Sequence, residues 1–159
     1  MVIFAVLFKN NHLKFNTMKT NLKGDITLEI VNSYMEENNL SVSETIDSIQ
    51  KNSIEYPNKP RKPYLEKKHS LEEVKEYSKK LEIYEKEIPL YEKILDEYSK
   101  KQGERNSVIE NFIKKESGLL DNVPEKYQKK AYSLAYTNGH SGGYCEIYNN
   151  LVDIIEIFE

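Results

Sequence analysis

A chain of 159 residues is the size of one domain, yet with 38% of it hydrophobic and 31% charged it suits an elongated helical protein better than a compact globule. Six glycines and five prolines exclude the dense turn punctuation of a sandwich or barrel, and the charges fall in Glu/Lys-rich stretches, so the class expected is all-α. The net charge of -3 implies no nucleic-acid partner by itself, and one cysteine with three scattered histidines gives neither an internal disulfide nor zinc-ligand spacing, so no metal or cofactor is expected and the chain suits the reducing cytoplasm.

Residues 1–24 read as an N-terminal arm with lysines and no acid. Its apolar opening, Met1 to Phe8, falls far short of the ~20 residues that span a bilayer and lacks a signal peptide's basic start and cleavage site, so neither membrane nor secretion is expected. Met18 is a second candidate start; the choice between it and Met1 is open, as is whether residues 1–17 form a strand or an arm.

Residues 25–55 read as a small helical pair. Leu28, Val31, Met35 and Leu40 recur at helical spacing behind a cap at Asp25 or Thr27, with an end near Asn38-Asn39. Val42, Ile46 and Ile49 line a second helix capped by Ser41 or Ser43. The run Ile30-Val31-Asn32-Ser33-Tyr34, with Asn38-Asn39 and Val42-Ser43, resembles the amino-terminal helices of Ros/MucR transcriptional regulators. That family's zinc ligands have no counterpart here, so the likeness implies a self-association or docking module.

Residues 56–69 read as a semi-rigid spacer, because Pro57, Pro60 and Pro63 stand three apart and would share one face of a polyproline II helix. Its bases Lys59, Arg61, Lys62, Lys67 and Lys68 either contact phosphate or keep an extended linker solvated.

Residues 70–159 read as a helical hairpin, with helices over about 71–102, 107–117 and 124–157. In the first, Val74, Tyr77, Leu81, Tyr84, Ile88, Tyr91, Leu95 and Tyr98 alternate steps of three and four, with aliphatic a positions and tyrosine at every d. Glu76–Lys80, Glu82–Lys86, Asp96–Lys100 and Glu97–Lys101 pairs support it off the seam. Pro89 predicts a kink rather than a stop, and the helix is expected to close at Gly103, where the apolar phase gives way to Gln102 and Arg105. A continuous helix through Gly103 is the alternative. Ser107 and Glu110 form a capping-box pattern for a short helix closed near Gly118, and Pro124 opens the last one.

In that last helix Ala131, Ala135, Gly139 and Gly143 are spaced by four, a shallow groove in which the d-position tyrosines of 71–102 would lie. The competing reading makes Asn138 to Gly143 a loop between two helices. A parallel dimer through the tyrosine seam is a third. The interaction candidates are therefore Tyr77, Tyr84, Tyr91, Tyr98, Lys59, Arg61 and Lys62, with a protein partner favoured, and self-association and nucleic acid kept as alternatives.

A weak polar cluster comprises His140, Ser141, Tyr144 and Glu146, with Cys145 among them. It completes no nucleophile, base and orienting group, and no phosphate loop, nucleophile elbow or paired-carboxylate motif accompanies it, so no catalytic residue is assigned and no enzyme is expected. The segment from Lys130 to Tyr136 through Gly139-His140-Ser141 to Gly143-Tyr144, in a Lys/Asn/Ile/Glu-rich chain, resembles small accessory proteins of tailed bacteriophages. That resemblance implies an early, non-enzymatic modulator that binds a host or phage protein in the host cytoplasm. A nucleic-acid-binding regulator using the basic spacer and a coiled-coil protein of the virion are the alternatives.

Overall fold

The computed structural model describes residues 20–65 and 70–158. The arm with Met1, His12 and Met18, and the spacer residues Lys67, Lys68 and His69, lie outside the described residues. Among those described, all regular structure is helical: α1 (Leu28–Glu37), α2 (Val42–Lys51), α3 (Leu71–Asn111) running into a π turn (Phe112–Glu116), α4 (Glu125–Gly139), and α5 (Tyr144–Ile155) with a closing 3₁₀ turn. The chain is all-α and elongated, as its composition predicts.

Local chemistry sets the helix starts. Thr27 caps α1 by accepting from Ile30 N, while Ser41 and Ser70 open α2 and α3 with reciprocal capping boxes to Glu44 and Glu73. Asn39, at φ 49°, turns the chain out of α1 in the left-handed region that asparagine tolerates. Gly118, at φ 70°, closes the π turn where the sequence places a stop.

Two regions result. The head gathers Leu22, Ile26, Val31, Ile46 and Ile49 from the amino-terminal part with Ile109, Phe112 and Ile113 and with Ala131, Ala135, Ile147 and Leu151 of α4 and α5 into one core. The helical pair α1 and α2 thus belongs to the head, with α2 against α5 and α1 against α3. The stalk consists of α3 up to about residue 102 and the proline segment before it.

In the stalk the segment 54–65 forms neither helix nor strand; Ile54, Pro57, Pro60 and Pro63 are half-buried at every third position, the repeat of polyproline II, which ends at the half-buried Leu65. On α3, the eight seam residues from Val74 to Tyr98 are half-buried or buried while nearly all others are exposed. The two faces meet directly around Tyr56, whose ring stands edge-on to Tyr98 at 5.2 Å between centroids, and around Pro57 and Pro60, which share a groove with Tyr91. Three residues of polyproline II advance about 9.3 Å and seven of α-helix about 10.5 Å, so a proline repeat of three and a tyrosine repeat of seven stay nearly in step. A hydrogen bond to Tyr56 raises the Tyr91 hydroxyl above the ordinary tyrosine range.

The structure differs from the expected helix ends at three points. Gly103 does not stop α3, which is helical from Leu71 to Asn111 and passes unbroken through Pro89. Glycine in a helix interior costs ~1 kcal/mol relative to alanine, whereas continuing the helix buries Ile109, Phe112 and Ile113, each worth about 1.5–3 kcal/mol. Ser107 accordingly caps nothing and donates to Gly103 O at 3.0 Å within the helix. The span 124–157 is two helices, broken at 140–143 where Gly143 takes φ 82°. Pro124 is the cap of α4 rather than its first helical residue.

The seam and the small-residue stripe both find partners, but not each other. The seam is covered by the proline segment, and the long hairpin of 71–102 with 124–157 does not form. Ala131, Ala135 and Gly139 are buried, and the close neighbour is α5: a Cβ on Gly139 would stand 2.7 Å from the backbone nitrogen of Ile147.

The head and stalk are joined by Arg105. The three-four phase of the seam continues past Tyr98 through Gln102, Arg105, Ile109 and Phe112, with polar groups only at the crossing. The guanidinium of Arg105, in a residue 3% exposed, donates to the carbonyls of Leu22 (3.1 Å), Gly24, Ile49 (3.2 Å) and Asn52 (3.1 Å). Desolvation draws its pKa down, opposed by the charge of Asp25. Those acceptors include carbonyls at the end of α2, where a cation complements the helix dipole.

Candidate interaction surfaces

Of the residues singled out from sequence, Tyr77, Tyr84 and Tyr98 are half-buried and Tyr91 is 9% exposed, so the tyrosine seam is an internal contact of the stalk. Lys59, Arg61 and Lys62 occupy the outward positions of the proline segment and are exposed. These three bases are therefore presented to solvent by the same three-residue repeat that turns the prolines inward.

The polar cluster at 140–146 is not assembled. His140 is exposed, with Nδ1 3.0 Å from Thr137 O, and Ser141 and Glu146 are exposed. Tyr144 turns inward instead, its hydroxyl donating to Glu110 Oε1 at 3.4 Å. Cys145 is half-buried over α2, its backbone N–H donating to Gln50 Oε1 at 3.4 Å, and burial pushes its thiol up, away from a reactive thiolate.

The head carries a cleft of roughly 570 Å³ between the end of α3 and α4, lined by Lys114, Lys115, Gln128, Lys129, Tyr132 and Tyr136 among others. Gln128 fixes one wall: its amide donates to the carbonyls of Leu120 and Val123, both at 3.0 Å, pinning the 118–124 turn to α4. The Lys114 ammonium stands 4.2 Å from the centroid of the Tyr132 ring and pairs with Glu110 at 3.2 Å.

Tyr132 is 7% exposed, and its hydroxyl has no hydrogen-bond partner in the protein. Burial first, and the charge of Glu110 second, hold the hydroxyls of Tyr132 and Tyr144 protonated well above the ordinary range. Neither is a nucleophile at neutral pH; both are donors. The cleft offers lysine ammonium groups and ring faces beside the Glu110 carboxylate, with the unpaired Tyr132 hydroxyl closed to solvent in its wall, and its lysines outnumber its one acid, a balance that favours carboxylate-bearing ligands.

Sequence reasoning did not join these residues into a site. Lys114-Lys115 and Lys129 come from elements separated by a turn, and the signal that could have linked them is the tyrosine register of α4: Tyr132 and Tyr136 share a face with Gln128 and Lys129 at helical spacing. Among the described residues no group of three or more metal-ligating side chains converges, and no helix is long and apolar enough to cross a membrane.

The sequence profile of DUF8546, a family of unknown function, matches residues 40–159, most of the chain, and the protein belongs to that family. No curated protein and no solved structure matches it.

Proposed function

We propose that this member of DUF8546 is a non-enzymatic binding protein that takes an acidic segment of another protein into the lysine and tyrosine cleft of its head. The observation that supports the reading is Tyr132, buried with an unpaired hydroxyl in a cleft shared with Lys114, Lys115 and Lys129. A buried donor left unmade costs about 1–3 kcal/mol, which a carboxylate entering as the Tyr132 ring swings toward the cleft would offset while the lysines supply charge-assisted bonds. The rings of Tyr132 and Tyr136 give the apolar, rigid contact area typical of binding hot spots. The composition and the carboxyl-terminal likeness to phage accessory proteins extend the proposal: the target is a host or phage protein met in the host cytoplasm and modulated by capture.

The test is an affinity pull-down of the tagged full chain from a bacterial host lysate, with and without nuclease. The expected result is one stoichiometric protein that survives nuclease and is lost with Lys114→Glu, Lys115→Glu and Lys129→Glu together. Tyr132→Phe should weaken capture severalfold while leaving the protein at least as stable, since it removes an unsatisfied buried group. Undiminished capture by the charge-reversed chain would exclude the cleft. A second reading, nucleic-acid binding by the exposed Lys59, Arg61 and Lys62, predicts recovery that needs nucleic acid, weakens with salt and is lost when those three become alanine.

A further inference from the structure

The stalk helix carries a second stripe that nothing in the described structure covers. Beyond Leu71 at its start, the exposed large apolar residues of α3 are Ile83 (56%), Leu90 (60%) and Ile94 (53%). They fall in the three-four series Glu76, Lys80, Ile83, Glu87, Leu90, Ile94, Glu97, Lys101, every member of which is exposed. On a helix of 3.6 residues per turn this series runs beside the tyrosine seam, about a third of a turn away. It borders the groove where Pro57, Lys59 and Pro60 meet Glu87, Leu90 and Ile94.

The order of charges along the stripe selects its partner. Read from its two ends it is complementary to itself: Glu76 answers Lys101, Lys80 answers Glu97, and Ile83 answers Ile94. We infer that two copies of this chain pair their stalks antiparallel through this stripe, with Ile83 of one copy against Ile94 of the other. The Lys80 to Glu97 and Glu76 to Lys101 pairs flank that apolar centre. Glu87 then lies over Leu90 of the other copy, at the edge of the groove that Lys59 also lines.

A parallel pairing in register is disfavoured because it sets every charge against its like, and a staggered parallel one does not close on a twofold axis. Shifting the antiparallel register by one helical turn is also disfavoured: it brings Lys80 against Lys101 in one direction and Glu76 against Glu97 in the other. The twofold arrangement is isologous and closes on itself. With three apolar residues per copy at its centre, the pair is a weak, concentration-dependent dimer.

Sedimentation equilibrium of the full chain up to about 200 μM tests the association. The expected result is an average mass rising toward two chains, and a mass of one chain throughout for Ile83→Glu with Ile94→Glu, whose helical circular dichroism stays that of the parent. Lys80→Glu should weaken association about tenfold and Lys80→Glu with Glu97→Lys should restore it.

Orientation is read by oxidation of cysteine variants in a Cys145→Ala background. An equimolar mixture of Ile83→Cys and Ile94→Cys should form the mixed disulfide, while each variant alone stays uncrosslinked. In the antiparallel pair like positions lie about 16 Å apart along the axis, beyond the roughly 7 Å that a disulfide bridges. Disulfides within each variant alone would overturn the antiparallel arrangement, and a mass of one chain at every concentration would overturn the pairing itself.

Discussion

The head and the stalk solve the same problem with different resources. The head buries Phe112, Ile113, Ile46 and Leu151 to 0% exposure among many neighbours drawn from distant parts of the chain. Among the described residues the stalk has two elements, an α-helix and an extended proline segment, and its seam is half-buried at most positions. What makes the stalk viable is that its second element is stiff before it docks. A proline-rich segment already samples polyproline II when unfolded, so ordering it against the tyrosines loses less backbone entropy than ordering an average segment. The comparison teaches that apolar area is not the only route to an ordered element; low conformational freedom in the free chain serves where area is scarce.

Substitutions should separate the two regions by size of effect. Phe112→Ala, at the centre of the head, is expected to destabilise by about 3–5 kcal/mol in urea unfolding, because it leaves a cavity as well as losing burial. Arg105→Met at the junction should cost about 3 kcal/mol, since it strands buried carbonyls of Leu22, Gly24, Ile49 and Asn52 that the guanidinium satisfies.

Pro57→Ala with Pro60→Ala should cost only about 1 kcal/mol, and locally. Amide exchange over the stalk part of α3 should accelerate while protection in α4 and α5 is unchanged; equal loss in both would show that the regions do not open separately.

A pH titration gives the smallest effect near neutrality and is specific to the head. Tyr132 and Tyr144 have hydroxyls raised above their unfolded value, so folding favours the protonated form. Below the unfolded tyrosine pKa of about 10 both states are protonated and stability is flat; as pH rises past it the unfolded chain ionises first and stability falls. Tyr132→Phe with Tyr144→Phe should flatten that alkaline loss, which melting temperatures above pH 10 would show.

Much of the architecture could be read from residue patterns. The two short helices, the start and phase of the long one, the turn at Gly118 and the approach allowed by Ala131, Ala135 and Gly139 all rest on local spacing or on residue size, which a sequence displays directly. The partners of those faces do not. The prolines and the tyrosines each announce a periodic face, and only comparing their rises, about 9.3 Å against 10.5 Å, suggests that they belong together.

Gln102 and Arg105 hid the continuation of the seam, since a buried cation looks like a solvated one until its acceptors are known. A loop over Asn138 to Gly143 is one of two readings of the sequence; tertiary packing decides for it and confines it to 140–143, with a Cβ on Gly143 falling 2.6 Å from Gln50 Nε2. The cleft was the least legible part, because its lysines sit in charge runs indistinguishable from an ordinary solvated helix face.

The grip of Arg105 on Ile49 and Asn52 places the two ends of the stalk side by side, so everything between them is an excursion that leaves the head and returns to the same spot. An excursion that zips up through near-neighbour contacts can form before the head exists, and in doing so it brings the amino-terminal helices to the carboxyl-terminal ones without a separate search. The long detour then shortens the effective chain: the head assembles as though residues 52 and 105 were almost adjacent. Stopped-flow refolding is expected to speed up little when the excursion is replaced by a short turn, and to slow when its zippering is weakened at Pro57 and Pro60.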